Sequence, residues 1–291
     1  MNQQISGAQD ISYASSVPSK AGQVVIRTVE TLTGRNRLLR MAQGYDSAVQ
    51  RGEDFWQVIA RSYGLRLDVI GGSLDNIPKT GPLIMIANHP YGILDGLVLG
   101  NILSQTRGDF RFMAHRVFCK SAELDRVILP INFDGTKQAV QENLATRKTA
   151  LNYLGQGGAI GIFPGGTVST APRPFARPLD PRWRSFTAKL IAKTDATVVP
   201  VYFDGANSRL FQIASHLNYT LRMSLLINEF RRARKEPVRL VVGEPLKRSD
   251  LDVYSKDARG MMDFLRESTY SLSPKPVPRG GYGFEFEDNH R

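Results

Sequence analysis

Between residues 65 and 242 the chain repeats one pattern: an apolar or β-branched run of five to seven residues, a turn, then a longer stretch with apolar residues at helical spacing. Nothing else in the sequence constrains the fold as much. Strands buried on both faces need helices to cover them, and helices that cross over between strands make a mostly parallel sheet. Strands are predicted at 65–70, 82–87, 110–114, 127–131, 159–163, 197–203 and 238–242, and helices at 94–104, 136–154, 182–193, 217–231 and 256–270. In the second of these helices Ala139, Val140, Leu144, Leu151 and Leu154 form the expected buried stripe, and Gly155 with Gly157 can take the positive φ that ends it. The fold class is therefore α/β: a single domain with a mixed, mostly parallel sheet flanked by helices.

Two helical patterns precede the sheet. Residues 24–42 alternate aliphatic positions with Arg27, Arg35, Arg37 and Arg40, which suits either a basic amphipathic helix on a lipid surface or an ordinary surface helix with solvated arginines. Residues 45–63 place Phe55, Trp56, Ile59 and Ala60 at helical spacing. The expected organisation is a flexible leader (1–20), an N-terminal segment of amphipathic helices (21–63), the α/β domain (64–272) and a peripheral tail (273–291) that turns acidic through Glu285, Glu287 and Asp288. No apolar run reaches the roughly 18 to 20 residues that span a bilayer. The polar, Ser-rich start does not read as a secretory signal, so a cytoplasmic protein is expected.

Cys119 is the only cysteine, which excludes an internal disulfide and a multi-cysteine zinc cage and points to a reducing compartment. With no base signature nearby, it reads as an inert thiol. Lys plus Arg number 38 against 27 Asp plus Glu, a formal +11 that favours polyanionic partners, either nucleic acid or an anionic membrane surface. The sharpest cluster, Arg231, Arg232, Arg234 and Lys235, suits a helix C-terminus first and a membrane surface second. No recognition motif or aromatic interleaving accompanies it, so nucleic acid ranks last.

The most informative segment is Asn88-His89-Pro90-Tyr91-Gly92-Ile93-Leu94-Asp95, which follows a buried strand where reactive groups gather in open α/β sheets. His89 and Asp95 are six positions apart, on different faces of any continuous helix, so they meet only across the Pro-Tyr-Gly turn. If they meet, Asp95 accepts the Nδ1 proton and orients a ring whose Nε2 can take a proton from a hydroxyl. The other reading is a satisfied strand-end histidine and a first-turn carboxylate favoured by the helix dipole. A second strand runs into Phe163-Pro164-Gly165-Gly166-Thr167-Val168-Ser169, whose backbone N–H groups can face a developing oxyanion or whose glycines simply serve a tight turn. A third, Val198-Val199-Pro200-Val201, leads into Asp204-Gly205. His115 reads as a structural strand-end residue, and His216 and His290 have no partner pattern. The glycines at 155–161 enter a strand instead of leaving one, which argues against a dinucleotide site, and no nucleophile elbow or phosphate loop occurs.

In this order the three blocks resemble the Asn-His-x4-Asp, Phe-Pro-Glu-Gly-Thr-Arg-Ser and Val-Val-Pro-Val motifs of the glycerophospholipid acyltransferase family, which contains the lysophosphatidic acid acyltransferases. The likeness spans roughly residues 65 to 244. It implies a peripheral enzyme at the cytoplasmic face of the membrane that moves a fatty acyl group from an acyl carrier protein or coenzyme A thioester onto a hydroxyl of a lyso-lipid, without metal or cofactor. Carried over, His89 is the general base and Asp95 its orienting partner, while Phe163, Pro164, Gly165, Gly166 and Thr167 shape the acceptor and oxyanion sites.

The resemblance has departures. Five residues, not four, separate His89 from Asp95, with Gly92 as the additional turn residue. Gly165 replaces the motif's Glu and Val168 its Arg, and Asn132 and Phe133 stand where the family usually has a further Arg. Losing both arginines removes the bidentate groups best suited to a phosphate monoester. The expected acceptor is therefore a lyso-lipid with an amino-acid head group, as in lyso-ornithine lipid relatives, with lysophosphatidate the other acceptor. Arg173, Arg177, Arg182 and Arg184 are the expected head-group or membrane contacts. The rival reading is a non-catalytic lipid carrier on the same fold.

Overall fold

The computed structural model describes residues 12–17, 19–115, 122–132, 136–278 and 280–285; Cys119, Phe133, Glu287, Asp288 and His290 lie outside the described residues. All seven predicted strands form: β1 (Leu67–Gly72), β2 (Leu83–Ala87), β3 (Arg111–His115), β4 (Ile128–Ile131), β5 (Ala159–Ile162), β6 (Thr197–Phe203) and β7 (Val238–Val242). They join one sheet in the order β1-β7-β6-β2-β5-β3-β4, parallel at every pairing except β6 with β7. The helices are α1 (Lys20–Thr33), α2 (Arg35–Met41), α3 (Tyr45–Gln50), α4 (Phe55–Tyr63), α5 (Ile93–Arg107), α6 (Ala122–Val127), α7 (Lys137–Gly155), α8 (Phe186–Ile191), α9 (Arg209–Leu217), α10 (Tyr219–Ala233), α11 (Arg248–Asp252) and α12 (Ala258–Tyr270).

Central β2 is buried along its whole length. Because successive side chains point to opposite faces, Leu83, Met85 and Ala87 enter one core with Trp56, Leu99, Phe211 and Ile227. Ile84 and Ile86 enter the other, with Leu154, Leu190, Met262 and Leu265. The N-terminal helices, α5, α9 and α10 thus cover one face, and α7, α8 and α12 the other. Both sheet neighbours of β2, β5 and β6, run parallel to it, so three carboxyl ends open at one edge of the sheet.

Several expectations are corrected. The 24–42 helix breaks at Gly34, whose φ of 122° suits only glycine and whose missing Cβ leaves room for the Arg231 stem. The 45–63 helix breaks at Gly52 (φ 88°) and restarts where the Asp54 carboxylate accepts from Gln57 N–H at 2.9 Å. The helix expected at 217–231 forms as α10, but a further helix that the sequence pattern did not give, α9, precedes it; Asn218 ends α9 and its side chain caps α10 by accepting from Thr220 N–H at 2.7 Å. In α7, Val140 and Leu144 are exposed. The inner face instead carries Ala139, Thr146, Ala150 and Leu154, with Thr146 Oγ1 donating to Pro130 O at 2.7 Å and Asn143 bonded both ways to the Asn132 backbone. Ala139 and Leu154 are buried as expected and Leu151 packs partly against the core, while polar residues that hold β4 take the inward places expected for Val140 and Leu144. Gly157 takes the positive φ after α7 while Gly155 stays helical.

The two ends are not loose where they are described. Buried Glu30 on α1 accepts from Ser12 Oγ at 2.6 Å and Tyr13 N–H at 2.7 Å, and Tyr13, Ala14 and Val17 are buried. At the other end, Gly283 N–H donates to Asp180 O at 2.8 Å and Phe284 N–H to Thr170 O at 3.1 Å, strapping residues 280–285 across the loop that follows β5. Position 283 must be glycine there, since a Cβ would lie 1.9 Å from Leu179 O.

Candidate active site

Asn88, just past β2, is buried and extends the β2–β6 ladder with its side chain, donating to Phe203 O at 3.0 Å and accepting from Phe203 N–H at 2.7 Å. His89 is therefore the first residue beyond the paired sheet. Its backbone is held from the second block's side: its N–H donates to Asp180 Oδ1 at 3.1 Å and its carbonyl accepts from Ser169 N–H at 2.8 Å. Gly92 adopts φ 82° and ψ −119°, a conformation closed to residues with a Cβ, and so absorbs the extra residue between His89 and Asp95. Tyr91 N–H and Gly92 N–H both donate to Asp95 Oδ2, at 2.8 and 3.0 Å.

The predicted pair does meet. His89 Nδ1 lies 3.0 Å from Asp95 Oδ2, while the Asp95 side chain is fully buried and that of His89 is 18% exposed. The distance is that of an ion pair, but the N–H direction is off the line of a hydrogen bond, and Asp95 Oδ1 has no partner among the described residues. Such contacts are often poorly aligned before substrate binds. Burial pushes the Asp95 carboxyl above the ordinary carboxylate range, opposed by His89 and the two turn N–H groups. The imidazole stacks on Phe163 at 4.2 Å and 26°. Since Nδ1 is buried, the ring's remaining exposure is on its Nε2 side.

In the second block Gly166 (φ 69°) closes a tight turn by donating its N–H to Phe163 O at 3.0 Å, so that N–H does not face an oxyanion as expected. The N–H groups of Gly165 and Thr167 meet no acceptor among the described residues. Position 165 explains its own departure from the motif. A Cβ there would come within 3.3 Å of the Asp180 carboxylate, which occupies the space a glutamate would enter. Asp180 is fully buried; besides His89 N–H, its carboxylate accepts from Ser169 Oγ and, at 2.9 Å, from Trp183 Nε1, and its own N–H donates to Tyr270 Oη at 2.7 Å.

An arginine from another element braces the second block. Arg222 on α10 is buried and donates to Thr167 Oγ1 at 3.1 Å, Val168 O at 2.8 Å, Thr170 Oγ1 at 2.6 Å and Ser215 Oγ at 2.9 Å. Burial lowers its guanidinium to about 9. Sequence reasoning singled out neither residue. The available signals were that Asp180 is the one acid among four arginines between 171 and 184, and that Arg222 is the one Lys, Arg, Asp or Glu between 210 and 228.

The four arginines proposed for the head group separate. Arg177 ties down the C-terminal segment, donating to Pro276 O at 2.8 Å, Ser273 Oγ at 2.9 Å and Tyr202 Oη at 3.0 Å. Arg173 is exposed on the loop after the second block. Arg182 and Arg184 line an open cavity of about 620 Å³ with Arg259, Trp183 and Tyr282. That cavity adjoins the site, because Arg184 N–H donates to Pro164 O at 3.0 Å and Trp183 shares Asp180 with His89. His115 ends β3, consistent with a strand-end residue. His216 has partners after all: Nε2 is 2.9 Å from Ala171 O, and its ring lies edge-on to Phe284. The basic cluster at the end of α10 pins neighbouring structure, with Arg232 3.3 Å from Glu229 and Arg234 donating to Tyr63 O at 3.1 Å.

Two curated relatives match most of the chain. Lyso-glycine lipid O-acyltransferase from Phocaeicola vulgatus is 26% identical over 235 residues, covering 78% of this chain and 80% of that protein. The protein of the same name from Bacteroides thetaiotaomicron is 26% identical over 236 residues, covering 78% and 82%. Among solved structures, the 1-acyl-sn-glycerophosphate (LPA) acyltransferase PlsC from Thermotoga maritima covers 91% of this chain and 87% of its own length at 16% identity and a TM-score of 0.45. A family profile described as Acyltransferase matches residues 11–275, a span that takes in the whole sheet and all three blocks. The chain belongs to that acyltransferase family and is an acyltransferase enzyme.

Proposed function

We propose that this protein transfers a fatty acyl group from an acyl carrier protein or coenzyme A thioester to the hydroxyl of a lyso-lipid, with His89 as general base and Asp95 as its orienting partner. The observation that carries the reading is the 3.0 Å approach of His89 Nδ1 to a buried Asp95 carboxylate at the carboxyl end of β2. The acceptor hydroxyl gives its proton to Nε2 and its oxygen attacks the thioester carbonyl. The tetrahedral oxyanion, facing the N–H groups of Gly165 and Thr167, collapses with cleavage of the C–S bond, and the departing thiolate takes the proton back from the imidazolium. No acyl-enzyme forms.

Asp95 acts more strongly in the transition state than before it. Its buried charge is incompletely compensated until His89 becomes cationic, so the interaction lowers the barrier and not only the ground state. The acceptor proposed is a lyso-lipid with an amino-acid head group. Support comes from the absence of arginine at position 168 and from relatives named for a lyso-glycine lipid. Arg182 and Arg184 are proposed as its carboxylate contacts, and the enzyme is proposed to work as a peripheral protein at the cytoplasmic face of the membrane. Among the described residues no helix is long and apolar enough to cross one.

Purified protein should be assayed with acyl carrier protein and coenzyme A thioesters against lyso-glycine lipid, lyso-ornithine lipid and lysophosphatidate. Turnover of the lyso-aminolipids, with a loss of several orders of magnitude in His89→Ala, is expected. Turnover of lysophosphatidate alone overturns the acceptor, and undiminished transfer by the variant overturns the base.

A further inference from the structure

We propose that the outer face of α9, the loop at 171–176 and the first turn of α10 together form a seat for an anionic lipid bilayer beside the active site; the inference rests on the lyso-lipid reading above. On α9 the inward side chains Phe211, Gln212, Ala214 and Ser215 are buried, whereas Leu210 (60% exposed), Ile213 and Leu217 (69%) make an apolar stripe facing out at spacings of three and four. Tyr219 and Leu221 continue it onto α10. The loop lies alongside: Ala171 N–H donates to Gln212 Oε1 at 2.9 Å, Ala171 O meets His216, and the Arg209 guanidinium stands 6.0 Å from the Phe175 ring.

Phe175 is the telling residue. Among the described residues it is the one non-glycine at positive φ (70°), and its ring is 77% exposed. A strained backbone that presents an aromatic side chain to solvent gains nothing for the fold by itself. An aromatic at the tip of a loop, next to a helix with leucines on its outer face, is the form of an interfacial membrane contact.

The occupant follows from charge. Residues 165–179 and 205–228 contain no Asp or Glu, while Arg173 and Arg209 flank the apolar stripe and the chain as a whole carries +11. An apolar stripe flanked by arginines, on segments that themselves carry no acid, is complementary to a membrane containing anionic lipid. The same loop begins with Thr167 to Thr170, held by Arg222 and bonded through Ser169 N–H to His89 O. A bilayer on this face would therefore deliver a lyso-lipid close to the base without its hydrocarbon chain crossing water.

Sedimentation with phosphatidylcholine vesicles, with and without phosphatidylglycerol, tests this on the full chain. Wild type should pellet with the anionic vesicles, and a Phe175→Ser, Leu217→Ser double variant should lose roughly 100-fold in partition coefficient, the effect of withdrawing two large side chains from the lipid. Its turnover of a short-chain lyso-lipid in aqueous dispersion should match wild type. The proposal is overturned if the double variant partitions normally, if neutral vesicles bind equally, or if the variant merely converts a wild-type dimer to monomers by ultracentrifugation. It is also overturned if binding depends on α1, with a Val24→Ser, Leu32→Ser variant failing to pellet while the double variant pellets. Loss of all lyso-lipid turnover with vesicle binding intact would instead sink the substrate reading and leave the docking face standing.

Discussion

Replacing Asp95 with Asn removes one charge and almost no volume. The amide oxygen can still accept from Tyr91 N–H and Gly92 N–H, which hold the turn at 2.8 and 3.0 Å. What disappears is attraction between a carboxylate and an imidazolium 3.0 Å away. With an effective dielectric near 20, two unit charges at that distance attract by about 5 kcal/mol, which sets an upper bound near four orders of magnitude in rate. Because the imidazolium exists only after proton transfer, kcat should fall by about 10³ to 10⁴ while KM changes little. Free thiol released from acyl-coenzyme A in the presence of lyso-lipid measures the rate, and a thermal melt confirms folding. A folded Asp95→Asn enzyme within about tenfold of wild-type kcat would refute the orienting role.

The same substitution separates pH effects. Burial raises the Asp95 carboxyl on folding, so the native state binds that proton more tightly than the unfolded chain. Its contribution to stability is present below the unfolded value of 3.8 and is lost as pH rises through the folded value. Wild type should thus lose stability relative to Asp95→Asn as pH climbs through the acid range, measured by denaturant unfolding; parallel curves would contradict the raised value. Asp180→Ala leaves three buried donors, His89 N–H, Ser169 Oγ–H and Trp183 Nε1–H, without their acceptor. A loss of about 3 to 5 kcal/mol and roughly 10 °C in Tm is expected by calorimetry, and a change within about 2 °C would show that Asp180 is no hub. Gly283→Ala should release the C-terminal strap, since its Cβ would meet Leu179 O at 1.9 Å, and limited proteolysis after residue 278 should become faster than in wild type.

The strands were legible because their signal is local. Each is a run of β-branched and aliphatic residues between turn formers, and in β2 both faces are buried, so the run is apolar throughout. Helix boundaries were less so. Gly34 and Asn218 break or restart helices because Arg231 needs room beside one and the other caps α10, neither visible from spacing. Part of the inner face of α7 was misread because Asn143 and Thr146 turn inward to bond Asn132 and Pro130, and a hydrophobic pattern scores such residues as outward.

His89 and Asp95 could be named as candidates from one short segment, but whether they met depended on Gly92 taking a conformation that only a three-dimensional turn demands. Asp180 and Arg222 stood 91 and 133 positions from His89, and no local pattern ties either to the site. By itself the sequence determined the order of strands and helices and the chemical types at the strand ends, since both follow from interactions within a few residues. The tertiary structure alone decided that a carboxylate fills the space beside Gly165 and a guanidinium fills the space beside Val168. Packing brings distant groups together because buried polar atoms must find partners wherever the chain can supply them.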